Sequence, residues 1–244
     1  IYMKLDQFEN AVEAFEYSIA IDEEYSSAYI NISDALIKLE KFDQAKKYLD
    51  RSLSLDGPSP EIYSCLGNVN FYLEDYSTSI SFYQKSIKID QMFKESYFGL
   101  GRSLSKLDKW FEAIHFFKRA YKIDNKNIEY VKSLAYAEFK VGNLVSSIDL
   151  YSKAVEMQPD DYKLSLDFSL IYYESGDIDK AIDIIDQAIE ESPGESLLYY
   201  RLVIYLMDAG RYKESINVLE SALSLNFDNH DVLFDFVPNF ESQS

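Results

Sequence analysis

The chain is 244 residues long, carries 24 Lys and Arg against 42 Asp and Glu for a formal net charge of -18, and is 47% apolar and 16% aromatic. That apolar content can supply a continuous core, which excludes a disordered chain, while so acidic a balance argues against nucleic acid or an anionic membrane surface, whose phosphates need clustered Lys and Arg. One cysteine, Cys65, allows no internal disulfide, two histidines, His115 and His230, allow no His-rich metal site, and no apolar run reaches the roughly 18 residues of a membrane span.

Taken in order, residues 1 to 25 hold the tail of one helix and a complete second one, Phe8 to Ile21. The chain is therefore expected to enter in mid-repeat, either as a piece trimmed from a longer array or with a lone helix, one apolar side exposed, that starts the stack. Six full units are expected at 26–59, 60–93, 94–127, 128–161, 162–195 and 196–229. The 94–127 unit shows the pattern: Tyr97, Leu100, Gly101 and Leu104 fall at helical spacing, the chain turns at Asp108-Lys109, and Trp110, Ala113, Ile114, Phe117 and Ala120 resume the period. Two short amphipathic helices follow from that spacing. Asp56-Gly57-Pro58, Gln158-Pro159-Asp160 and Ser192-Pro193-Gly194 mark turns between units, and Gly142-Asn143, Gly176-Asp177 and Gly210-Arg211 mark the tight turn inside one. From His230 to Val237 an eighth unit begins with Leu233 and Phe236, Pro238 stops or kinks it, and the tail Glu241 to Ser244 is expected to fray. A single array thus accounts for residues 1–244, closing on a partial helix at 230–244.

The period is 34 residues without insertion or deletion. Tyr29, Tyr63, Tyr97, Val131, Ser165, Tyr199 and Leu233 share one slot. Ala11, Ala45, Ser79, Ala113, Ser147, Ala181 and Ser215 share a second, and Ser18, Ser52, Ser86, Ala120, Ala154, Ala188 and Ala222 a third. Closely crossing helices would require the last two to be small. Tyr97-x-x-Leu100-Gly101, Ala113-x-x-x-Phe117 and Ala120, with Ala11-x-x-x-Phe15 and Tyr63-x-x-Leu66-Gly67 elsewhere, resemble the tetratricopeptide repeat (TPR) pattern over residues 1 to 229. The resemblance implies an all-α fold, a right-handed TPR superhelix of antiparallel helix pairs. The family's closing Pro stands only at Pro159 and Pro193, and Val203 replaces a small residue at the close crossing, where looser packing is expected.

No active site, cofactor or metal site is expected. Gly99-Leu100-Gly101 lacks the preceding strand and third glycine of a dinucleotide fingerprint and reads as two small packing positions. His115 has no ligand-spaced partner, no serine sits in a glycine-flanked elbow, and carboxylates such as Asp183 and Asp186 lie on a solvated face. The positive feature is a second stripe on each first helix, which the resemblance places in the concave groove where such proteins bind peptides. Its candidate binding members are Phe98, Arg102, Lys132, Tyr136, Phe139, Leu166, Leu170, Tyr173, Tyr200 and Ile204, with Ile30, Asp34, Ile37, Ser64, Asn68, Phe71, Ser105 and Met207 in equivalent places. The competing role for any one of them is to seal adjacent first helices together.

Net charge is -8 over residues 1–93, +1 over 94–161 and -11 over 162–244. Arg102, Lys106, Lys132, Lys140, Lys163 and Arg201 line the first helices there, either for a partner or for local pairing with Glu95, Glu129 and Asp167. No window matches the Lys and Asn pattern by which some TPR proteins clamp chaperone tails. The expected function is a non-catalytic scaffold for a protein or peptide partner in a reducing, cytoplasmic setting. Two other readings are a substrate-recruiting arm of a larger enzyme, and salt-sensitive self-association through Asp177, Asp179, Asp183, Asp186, Glu190 and Glu191 against Lys118, Arg119, Lys122 and Lys126 of another copy.

Overall fold

The computed structural model describes residues 1–225, so the expected helix at 230–244 lies outside the described residues. After a single 3-10 turn at Tyr2–Leu5 come α1 (Phe8–Ile21), α2 (Ser26–Lys38), α3 (Phe42–Asp56), α4 (Pro60–Tyr72), α5 (Tyr76–Ile89), α6 (Lys94–Lys106) and α7 (Trp110–Ile123). They are followed by α8 (Ile128–Lys140), α9 (Leu144–Met157), α10 (Tyr162–Glu174), α11 (Ile178–Glu191), α12 (Ser196–Asp208) and α13 (Tyr212–Leu225), with no strand among the described residues. Even-numbered helices are the first and odd-numbered ones the second of each pair. Both sets start at intervals of 34 residues, from Ser26 to Ser196 and from Phe8 to Tyr212. The helices form two compact units, one from Ile1 to Tyr130 and one from Val131 onward.

In the first unit Ile32, Leu36, Ala45, Leu49, Ile62, Leu66 and Val69 form one buried cluster, and Tyr97, Ala120 and Tyr130 another. In the second, Ala181, Ile182, Ile185, Leu198, Leu202 and Tyr205 pack together, beside a smaller cluster of Ala135, Tyr151 and Ile171. Serine can replace alanine in the small columns because its buried hydroxyl finds a carbonyl acceptor, on its own helix at Ser215 and on the facing helix at Ser79, Ser86 and Ser147. Ser79 Oγ donates to the Gly67 carbonyl at 2.8 Å and Ser147 Oγ to the Ala135 carbonyl at 2.9 Å. Ser86 Oγ likewise donates to the Pro60 carbonyl at 2.8 Å.

Glycine at the close crossings is a steric requirement. A methyl group on Gly101 would stand 2.6 Å from the Phe117 ring, and one on Gly67 or Gly99 would meet the Tyr83 ring at 2.6 or 2.2 Å. Val203, in the same column, is 2% exposed, and its neighbours Leu202, Ile204, Tyr205 and Leu206 are buried with it, so the larger side chain is part of the core.

Every turn inside a pair places one residue in the left-handed region: Asp6, Glu40, Glu74 and Asp108 at φ 53 to 60°, then Gly142, Gly176 and Gly210 at φ 73 to 86°. The chain reversal is fixed by Schellman-type hydrogen bonds, such as Lys41 N–H to the Leu36 carbonyl at 2.8 Å and Asp177 N–H to the Tyr172 carbonyl at 3.0 Å. Asp75 and Asp177 then accept the N–H of Thr78 and Lys180, capping α5 and α11.

Candidate functional site

In the first unit, α4 and α6 lie side by side and set the stripe residues of each against the other. Phe71, in the last turn of α4, is buried, and the adjacent Tyr72 is exposed. From α6 the Arg102 guanidinium lies 4.1 Å from the Phe71 ring centroid and 5.8 Å from those of Tyr72 and Phe98. The local pairing open to Arg102 is not made. Neither Arg102 nor Lys106, one turn further on, has a carboxylate within 4.0 Å among the described residues. A cleft of about 350 Å³ opens beside them, lined by Phe71, Tyr72, Glu74, Tyr76, Arg102, Ser105 and Lys106. Tyr72, Glu74 and Tyr76 fall outside the helical stripe because they sit at and beyond the end of α4; the closely spaced Phe71, Tyr72 and Tyr76 are their only mark in the sequence.

The rest of this face is held by packing. Phe98 is half-buried between Phe117 and Tyr130, with ring centroids at 5.8 and 4.8 Å. Tyr83, fully buried, donates its phenol to Asn68 Oδ1 at 2.7 Å. Asp34 accepts the Cys65 thiol at 3.5 Å. Burial pushes the Asp34 carboxyl above its ordinary value despite that bond and the nearby Lys38, and burial pushes the Cys65 thiol up as well, reinforced by Asp34.

In the second unit, Tyr136 of α8 is 44% exposed, with Phe139 at 6.4 Å between ring centroids and the Lys140 ammonium 6.0 Å from its ring. Lys132, Phe139, Leu166 and Leu170 are half-buried. Tyr173, also half-buried, stacks on Tyr205 at 4.7 Å and donates its phenol to Asp208, which holds that phenol up at about 12. Asp167 faces the charges of Lys132 and Arg201. Crowding by protein atoms still raises its carboxyl, although the residue keeps solvent access.

Tyr200 and Ile204 depart from the open stripe, at 0% and 4% exposed. The reason lies in α12, where Leu198, Leu202, Val203, Tyr205 and Leu206 are buried around them.

A family model described as tetratricopeptide repeat matches residues 2–68 and 138–204, and a second with the same description matches 197–229. No curated protein matches the chain in sequence. Among solved structures, YrrB, a TPR protein described as having an unusual peptide-binding site, is 22% identical, with 77% of this chain and 96% of that one covered at a TM-score of 0.61. MamA is 21% identical, with 75% and 95% covered at 0.62. The C-terminal part of a TPR repeat-containing protein from Cytophaga hutchinsonii is 16% identical, with 96% of both chains covered at 0.71. With the first family model alone matching more than half of its length, and helix pairs recurring every 34 residues, the chain belongs to the tetratricopeptide repeat family.

Proposed function

We propose that this chain is a non-catalytic interaction scaffold whose first-helix faces take a partner peptide. One observation carries the reading: Tyr136, Phe139, Leu170 and Tyr173, from the successive first helices α8 and α10, keep solvent access, whereas Tyr130, Val131, Leu134, Leu164 and Ile171 of the same helices are buried. Aromatic and aliphatic groups left open in a row, with charged residues between them, suit an amphipathic or extended peptide. The peptide-binding site ascribed to YrrB adds support by likeness of fold. The one thiol, Cys65, is buried and held in its protonated form, the reverse of what a nucleophile needs.

Selection of short random peptides displayed on phage against the whole chain tests the proposal. Peptides should be enriched that bind the wild type and are lost by the Tyr136→Ala/Tyr173→Ala variant with its circular dichroism spectrum intact. Peptides retained equally by both proteins would remove the site from these helices.

A further inference from the structure

The 94–127 repeat carries eight Lys and Arg against four Asp and Glu, a net of +4 in a chain of -18, and every other repeat is neutral or negative. An acidic segment approaching this protein therefore meets least repulsion here. Within the repeat, Lys94 and Lys109 have carboxylate partners, Asp124 at 2.6 Å and Glu112 at 4.0 Å. Arg102 and Lys106, the two that border the cleft, have none among the described residues.

Arg102 is positioned by a cation–π contact. Its guanidinium lies 4.1 Å over the Phe71 ring centroid, and none of the guanidinium N–H groups is bonded to another described residue. A guanidinium held this way presents a planar fork of donors that matches a carboxylate in two parallel hydrogen bonds. Lys106 adds a second cation about one turn along, about 6 Å further down the helix axis. Tyr72 and Tyr76 supply apolar surface beside the charges, while Glu74 on the same cleft repels a carboxylate and so directs acidic side chains toward Arg102 and Lys106.

Resting on the scaffold reading above, we infer that this cleft reads acidic side chains. An acidic peptide segment sets one Asp or Glu carboxylate on Arg102 and the next on Lys106, with an apolar neighbour against Tyr72 and Tyr76. Two cations a helical turn apart suit two successive acidic side chains better than the single carboxylate of a chain terminus.

The experiment is fluorescence anisotropy on the full chain with three labelled peptides of one length: alternating Glu and Phe with an amidated end, alternating Gln and Phe with an amidated end, and Gln and Phe with a free carboxylate. The amidated Glu peptide should bind about tenfold more tightly than its Gln counterpart, a difference of about 1.4 kcal/mol. Arg102→Gln should abolish that preference and Lys106→Gln reduce it. Arg102→Met, which keeps an aliphatic stem on Phe71, should also abolish it while melting with the wild type, which separates charge from folding.

A preference that survives in all three variants, or is absent from the wild type, overturns the inference; tight binding confined to the free carboxylate overturns the side-chain assignment. If phage-selected peptides still depend on Tyr136 and Tyr173 while no acidic preference exists, this subsite fails and the scaffold stands. If no peptide binds at all, both fail.

Discussion

Asp34 shows how a half-buried charge is tolerated on a first helix. Its carboxyl is pushed up by burial, so the folded chain favours the protonated form. The residue therefore contributes stability at pH values below its unfolded pKa, about 3.9, and that contribution is lost as pH rises through the higher folded value. Asp34→Asn keeps an acceptor for the Cys65 thiol and removes the charge. Its melting temperature should exceed that of the wild type by about 2 °C at pH 7, with the gain fading to nothing below about pH 4; a constant difference across a pH series would show that burial of the charge is not the cause. Glu40 bears a different strain, since it is exposed yet held at φ 57°, where an L residue pays roughly 1 to 2 kcal/mol. Glycine pays more than glutamate in unfolded-chain entropy, which offsets part of that cost. Glu40→Gly should still stabilise by about 0.5 to 1 kcal/mol in urea titration, while Gly176→Ala, the reverse change in an equivalent turn, should cost about 1 kcal/mol.

Between elements, the decisive contacts are aromatic rings seated where a helix has no side chain. Tyr83 of α5 lies against Gly67 of α4 and Gly99 of α6, joining one pair to the next, and Phe117 of α7 lies against Gly101 within its own pair. Because even a methyl group on Gly101 would stand 2.6 Å from Phe117, Gly101→Leu should overpack the crossing and cost about 1 to 3 kcal/mol. Repeats contact mainly their neighbours, so amide exchange should quicken most within 94–127; unchanged protection there would show that the crossing yields at no cost. This level of structure was legible in the sequence, since a glycine or small residue returning every 34 positions opposite an aromatic one can hardly mean anything but close helices. Turns were legible only where glycine marks them, at Gly142, Gly176 and Gly210. At Glu40 and Glu74 the same left-handed turn is imposed by the helices on residues with no preference for it. Exposure was the least legible, because period shows which face of a helix a residue occupies and not what covers that face. Tyr136 and Tyr200 hold equally aromatic places in the stripe, and one is 44% exposed and the other 0%.

For the molecule as a whole, regular spacing delivers stability and leaves function to the few side chains the core does not consume. Each unit spends its small columns and inward aromatics on packing, so a change on the first-helix stripe should affect binding and folding in proportion to how far that side chain is already engaged. Tyr136 is 44% exposed, with the Phe139 ring and the Lys140 ammonium about 6 Å from its own ring. Tyr173 is more committed, through its stack on Tyr205 and its hydrogen bond to Asp208. Aromatic anchors carry much of the energy of an interface, so Tyr136→Ala should weaken a phage-selected peptide by about 2 kcal/mol and leave the urea midpoint nearly unchanged. Tyr173→Ala should weaken the same peptide and also destabilise the fold by about 1 to 2 kcal/mol, the stack and hydrogen bond being lost together. Tyr173→Phe, which keeps the stack, should recover most of the stability, and titration of the peptide against it then reports whether the ring or the phenol meets the partner. Full affinity in Tyr136→Ala would mean that its open ring is incidental to binding and that the peptide lies on another face of the repeats.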